Sequence, residues 1–587
     1  MKTLLLVVFF LVSFFVQSQV LSISRSVDWQ LAGLRDTTSI GFQVIDMQLA
    51  GAIGDSVTPN DAVLSNVINS LSSGGAILEF PNGIFLFNNP ILLSSNIILK
   101  GQGVNNTTLV MNLGGSGNSI EIVGNTNPMD TTSFSLSAIK DSSFIDVFNV
   151  SDFSVGDWIQ LNQQDSDLVT SSWAIGSVGQ IVQIKNIVGN RILLESPLRM
   201  DYSISRTPYI QKIVPVQNVG IECLKIMRLD DTAPIQRSNV KFNYAVNCWI
   251  SGIESENCTF SHIEASKSSN ITISKSYFHH AFNYGTGGRA YGVMLQSTSN
   301  ECLVEDNIFE HLRHAMIVQS GANGNVFAYN YSFDPYWTST PNDAAGDMVL
   351  HGNYPYANLF EQNVCRNIVI DNSHGPNGPF NTFFRNRAEG YGIFFSSNNS
   401  PNQNFIGNDI SNNSFPYNLV NYSIQGTGHF IHGNNNKGTI TPSGTQSLID
   451  KSYTYSFIPS FVPVSDWAAI GTPNVMSANN IPAFTRYTSG QLFSTSCLNV
   501  ITDIKDNFVF KTDVLLFPNP FSSRLTLYSL QGIEEVQVLN SLGQNIFYDN
   551  KVKGDYYVDT TNWQKGVYFV KISLINHTVV VKRVVKE

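Results

Sequence analysis

Five asparagines constrain this chain more than any other feature. Asn307 (VEDNIF), Asn330 (FAYNYS), Asn363 (FEQNVC), Asn386 (FFRNRA) and Asn408 (FIGNDI) recur at intervals of 23, 33, 23 and 22 residues. Each follows an apolar residue by three positions. A chain that returns one residue type to one local pattern at such a period is coiling rather than folding back on itself. Parallel coils stack at about 4.8 Å, so each side-chain amide can bond the amides above and below it. The long interval holds an inserted loop, SFDPYWTSTPNDAAGD. The expected architecture is all-β, a right-handed parallel β-helix with the asparagines as its ladder.

The strands between the asparagines align as well. GVMLQ ends at Gln296, MIVQ at Gln319, MVLH at His351, IVID at Asp371 and IFFS at Ser396. Alternate side chains of a strand face opposite sides. If Val293, Leu295 and their equivalents fill the core, then Gln296, Gln319, His351, Asp371 and Ser396 form one outward column.

The 587 residues are long for one domain. Only 13% are charged and the net charge is −10, which leaves no electrostatic footprint for nucleic acid. The opening MKTLLLVVFFLVSFFVQSQ has the basic start and short apolar run of a signal peptide, residues 1–18. No later run approaches the roughly 20 apolar residues of a membrane span. Six cysteines are too few for a disulfide framework in a chain this long.

Two stretches resemble known families. Residues 43–103 include GGAILEFPNGIFLFNNPILLSSNIILKGQG, with Ile53-Gly54-Asp55 ahead of them. This resembles the opening of the pectate-lyase-like superfamily, whose members are parallel β-helix proteins that work on long carbohydrate chains. Ala62–Leu71 reads as an amphipathic helix capping the first coil, which would otherwise expose an apolar cross-section. Residues 140–200, with turns at Gly156-Asp157 and Gly189-Asn190, read as a barrel-like β insertion. The helix is expected over 40–485 and a linker over 486–510. Residues 511–587 contain LLFPNPFSS, SLGQNIF, KGVYFVKI and VVVKRVVKE. They resemble the C-terminal sorting domain of the type IX secretion system, a β-sandwich. That resemblance implies the secretion machinery as a partner and a secreted or cell-surface location.

Candidate chemistry is concentrated between residues 279 and 392. His279, His280, His311, His314, His351 and His374 are six of the ten histidines. In-register stacking places His351 beside Asp371, where a carboxylate would orient the imidazole for acid–base work. Asp347 and Asp343 are further candidate acids, and Glu361 is assigned to another sheet. Arg313 and His314 open a strand, where an arginine could hold an anionic sugar group. Tyr354, His374, Arg289, Tyr284, Gln319 and Arg385 complete the expected substrate-binding set. Arg385 and Arg387 flank a ladder asparagine and are expected to face solvent on opposite sides. The glycine-rich YGTGGRAYG lacks the following helix and lysine of a phosphate loop.

These residues predict a monomeric, secreted, endo-acting enzyme on an extended, anionic or sulfated polysaccharide. His351, Asp371 and Asp347 would be its catalytic groups. Hydrolysis is favoured on the number of nearby carboxylates. β-Elimination on a uronate polymer is the first alternative, and a non-catalytic carbohydrate-binding adhesin the second. Neither the RxPxxR of calcium pectate lyases nor the paired aspartates of polygalacturonases occurs. No cofactor is expected, and calcium is compatible but not indicated.

Overall fold

The computed structural model describes residues 19–493 and 514–586, apart from 36–41, 72–73, 231–235, 286, 337–345, 398, 420–423, 464, 466, 518–520, 530–531, 541–542, 551–555 and 576–578. The expected signal peptide, Asp343 and the expected linker around Cys497 lie outside the described residues. The chain divides into two compact units, Met1–Val500 and Ile501–Glu587.

The first unit is a parallel β-helix. One sheet takes one short parallel strand from each of twelve rungs, from Gln43–Asp46 to Phe430–His432. Adjacent strands pair in register, as in Val326↔Leu359, Leu359↔Thr382 and Thr382↔Asn404. The asparagines leave this sheet at the same corner of six successive coils. The backbone N–H and Nδ2 of Asn307 both donate to Oδ1 of Asn330 at 3.0 Å, and the pattern repeats through Asn363, Asn386 and Asn408 to Asn434. Each amide therefore satisfies buried backbone that the corner would leave unpaired. Inside the coil Phe327, Phe360, Phe383 and Phe405 stack nearly parallel at 5.0–5.3 Å between centroids. A second ladder, Asn325–Asn358–Asn381, turns another corner. The sequence period had not singled it out.

After each ladder corner comes a strand of a second face, such as Tyr277–Ala281 or Ile308–Glu310. A bend then leads to the third face, with Ser261–Ser266, Tyr291–Gln296, His314–Val318, Met348–His351, Val364–Asp371 and Arg387–Phe395. This third face is the groove sheet. Val293, Leu295, Met316, Val318, Met348, Leu350, Ile368 and Ile370 point into the core, as the alternation requires. The capping helix is Asp61–Ser70, with Leu64 buried.

Two boundaries differ from the sequence reading. The insertion is a six-stranded antiparallel sheet that runs from Asn125 to Val214, wider than 140–200. Its first and last strands in the chain, Asn125–Ser133 and Tyr209–Val214, pair with each other. The first carries no apolar alternation, so the sequence offered no strand signal there. The regular rungs end near residue 441, well before 485. Leu448, Tyr453, Val462, Ile470 and Ile481 pack back on outward apolar residues of the rungs, including Val326, Leu359, Phe384 and Ile406. These later residues form a strap that buries what would otherwise be an exposed apolar face.

The second unit has an antiparallel three-stranded sheet (Val514–Phe517, Arg524–Ser529, Tyr556–Asp559) and a four-stranded one (Ile533–Asn540, Asn545–Asp549, Gly566–Leu574, Val579–Lys586). Leu525, Leu527, Val536, Val538, Val570 and Ile572 share its core.

Candidate active site

The outward column lies on the floor of a cleft of about 740 Å³. Gln296, Gln319, His351, Asp371 and Ser396 all line it, with Tyr291, Arg313, His314 and His374 around them. His351 and Asp371 pair in the strand register. Nδ1 of His351 is 2.6 Å from Oδ2 of Asp371, close but not aligned as a linear hydrogen bond. Burial works to raise the Asp371 pKa. His351, together with the N–H and hydroxyl of Ser373, outweighs it and holds the carboxyl below the usual aspartate range.

Three rings surround this pair. His374 meets His351 edge-on at 4.9 Å, and His314 lies 5.4 Å from it. His314 is buried and its Nδ1 faces the Gly346 carbonyl at 3.2 Å, while its Nε2 has no partner. Burial, with His351 and Arg313 nearby, lowers its pKa well below the ordinary value, so the ring is neutral. Tyr291 stacks at a tilt on His314, 5.0 Å away. Burial outweighs the nearby Arg313 and pushes its hydroxyl up to about 12, so it holds its proton. Arg313 is half-buried at the wall and donates to the Gly285 carbonyl at 3.4 Å. Gln319 donates to Gln296 at 2.7 Å, and Gln296 to Glu264 at 3.0 Å.

Several expected site residues stand elsewhere. Asp347 is 1% exposed, and its oxygens accept from Ser332 Oγ and from the backbone N–H groups of Arg366 and Asn367. It fastens two adjoining strands and does not line the cleft. Arg385, expected in the substrate-binding set, does not line the cleft: it is buried, donating to the carbonyls of Leu448, Asp450, Ile470 and Thr472. Arg387 is buried against Asn479 and Asn480. Both were expected at solvent. The strap covers them, and sequence period alone cannot show a strap. Tyr354 packs with Val169, Val178 and Tyr356 against the insertion. Tyr284 stacks at 4.7 Å behind Tyr336, which lines the cleft. Arg289 is half-buried and does not line the cleft. Glu361 lies on the twelve-stranded sheet, as expected.

Glu264, Lys241, Phe260 and Trp173 line the cleft without having been singled out. Extending the column back one strand gives Ser266, which pairs with Gln296; Glu264 lies in the next outward column, opposite Met294. Four strand spacings separate its rung from that of Asp371, or about 19 Å. Trp173 comes from the insertion, which carries no helix period to place it.

His279, His280 and His311 gather at the second face. Glu254, Glu256 and His279 bring three ligand-type atoms together, the one such group among the described residues. The ammonium of Lys225 already sits between the carboxylates, 2.9 Å from Glu254 and 2.5 Å from Glu256. His311 pairs with Asp334 at 2.8 Å.

Two family models match this chain. Residues 44–188 match the rhamnogalacturonase A/epimerase, pectate lyase-like model, and residues 515–587 match the secretion system C-terminal sorting domain. No curated protein matches the chain by sequence. Solved structures that resemble it are β-helix proteins. The gp61 tailspike of Pseudomonas phage phi297 aligns at 12% identity over 67% of this chain and 65% of its own, with a TM-score of 0.45. The chain thus spans just under two thirds of that tailspike. The gp54 tailspike of Acinetobacter baumannii bacteriophage AP22, solved with a capsular saccharide, aligns at 14% over 67% and 69%, TM-score 0.43. An exopolygalacturonase from Thermotoga maritima aligns at 13% over 68% and 89%, TM-score 0.35. No helix among the described residues is long and apolar enough to cross a membrane.

Proposed function

We propose that this is an exported polysaccharide-cleaving enzyme whose groove works by β-elimination on a uronate-containing polymer. The observation that carries the reading is the company His351 keeps. Its Nδ1 faces Asp371, which leaves Nε2 to take the proton α to a uronate carboxyl. Asp371, ionised throughout the neutral range, holds the ring and stabilises its protonated form. Arg313 is the cation that neutralises the uronate carboxylate. Tyr291, still protonated, is the acid that serves the departing sugar oxygen.

Two-carboxylate hydrolysis has less support. It needs carboxyl groups about 5–9.5 Å apart. Glu264 stands some 19 Å away along the rungs, and Asp347 is already occupied by backbone donors. The sorting domain supports export to the cell surface or beyond it.

A panel of uronate and neutral polysaccharides tests the reading. Ultraviolet absorbance from an unsaturated uronate, lost in His351→Ala, is expected. Saturated fragments with new reducing ends and no such absorbance would replace elimination by hydrolysis.

A further inference from the structure

Trp173 is a large apolar side chain that the fold itself has no use for. It is 53% exposed. It sits on a single turn of the insertion, Ser172–Ala174, and lines the cleft. Its indole meets His374 edge-on at 5.9 Å, and His374 in turn meets His351. One ring therefore separates it from the His351–Asp371 pair.

The turn that displays it is fastened on both sides. Before Trp173, the N–H groups of Thr170 and Ser171 donate to Oδ1 of Asn353, two residues beyond His351 in the chain. After it, Ala174 is fully buried, and the N–H groups of Gly176 and Val178 donate to the buried carboxylate of Asp165. Thr298 Oγ1 then donates to the Ser177 carbonyl at 2.6 Å. The backbones approach so closely that a Cβ on Gly375 would stand 2.4 Å from Thr170 Oγ1, and one on Gly321 2.0 Å from the Ser177 carbonyl oxygen. Both glycines have positive φ, which costs them little. Deeper in the junction, Glu301 of the helix is paired with Arg199 of the insertion and with Arg35. Most Trp side chains bury the bulk of their surface. Here a rigid mount holds one out over a polar groove, and ordering it in advance removes part of the entropic cost of binding.

We infer that the insertion is a substrate-binding element and that Trp173 is a stacking platform for one pyranose unit of the polymer, next to the unit held at His351. This rests on the reading of the groove as a polysaccharide site. An indole is broad, flat and apolar, and it matches a sugar ring whose face presents C–H bonds. Axial hydroxyls on that face would lift the ring away. The subsite therefore takes a pyranose with one face clear of axial hydroxyls.

The test uses the full chain and a length series of oligosaccharides from whichever polymer it cleaves. For the wild type, kcat/KM should grow as the chain lengthens enough to reach Trp173. In Trp173→Ala that increment should shrink about three- to tenfold, carried by KM rather than kcat. Trp173→Phe should keep most of it. Thermal unfolding of Trp173→Ala should match the wild type, because the side chain is exposed. Wild-type length dependence in Trp173→Ala would overturn the platform while leaving the groove reading intact. A wild type that neither binds nor cleaves any saccharide would remove the groove reading, and the platform with it.

Discussion

His351 and Asp371 face each other across one step of the groove sheet, in register and with 2.6 Å between Nδ1 and Oδ2. Parallel coiling is what makes such a pair. Two residues 20 positions apart in sequence become neighbours because each ends its strand on the same side of the sheet. The pair is mostly shielded from water, with His351 buried and Asp371 half-buried. The loss of acid–base help in His351→Ala is expected to lower kcat by about 10²–10⁴-fold. Asp371→Asn should lower it as well, by leaving the imidazole unsupported. Steady-state kinetics on a cleaved polymer measures both, and a wild-type rate in His351→Ala would make the pair structural.

Two arginines make contrasting predictions. Arg313→Ala should raise KM and lower kcat with little change in unfolding temperature, since the side chain is half-buried and makes one long hydrogen bond to backbone. Arg385→Ala should do the reverse. Its guanidinium satisfies four buried carbonyls of the strap. Stranding them should cost more than about 3 kcal/mol. Chemical denaturation of the two variants separates the roles.

The asparagine ladder is expected to be cooperative. Asn363→Ala removes the acceptor used by the backbone N–H and Nδ2 of Asn330, and the donor to the Phe327 carbonyl. With Asn386 Oδ1, which loses the Asn363 Nδ2 donor, four buried groups lose a partner at once, so a loss of about 2–4 kcal/mol is expected. A loss below about 0.5 kcal/mol in denaturant titration would mean that water replaces the amide.

Stability should also depend on pH through the strap. Glu361 is fully buried and Glu305 half-buried, and burial pushes each carboxyl from 4.5 up to about 7. They accept from Tyr455 Oη and from Ser452 Oγ and the Tyr453 N–H, which only partly offsets burial. The folded chain then binds more protons than the unfolded chain between those values, so stability falls as pH rises through that window. Asp371 acts in the opposite sense and at lower pH, its contribution being lost as pH falls below the ordinary aspartate range. Glu361→Gln should flatten the fall in melting temperature between about pH 5 and pH 8. An unchanged slope would remove Glu361 from the account.

The coil was legible because Asn307, Asn330, Asn363, Asn386 and Asn408 carry its period, and the groove column because strand alternation fixes which side chains face out. His351, Asp371 and Gln319 follow from those two regularities, whereas Arg313 and His374 lie outside the strands and His314 has the parity of core-facing Met316. What failed to show was whatever lies across the coils rather than along them. Arg385 reads as exposed until the strap from 448 onward covers it. Tyr354 reads as a groove residue until the insertion packs on it. Trp173 is invisible for the same reason, coming from a segment with no helical register. Asp347 reads as a catalytic acid of the groove until a bend before Met348 turns it toward the N–H groups of Arg366 and Asn367.

The central claim is proton abstraction followed by elimination, and the mass of the products tests it most directly. Elimination cleaves the polymer without adding water. Each fragment with a new non-reducing end should then be lighter, by the mass of one water, than the hydrolytic fragment of the same length. Mass spectrometry of a digest by the wild type should show that deficit, and a digest by His351→Ala should show intact polymer. Fragments at the full hydrolytic mass, with no deficit at any length, would contradict the account.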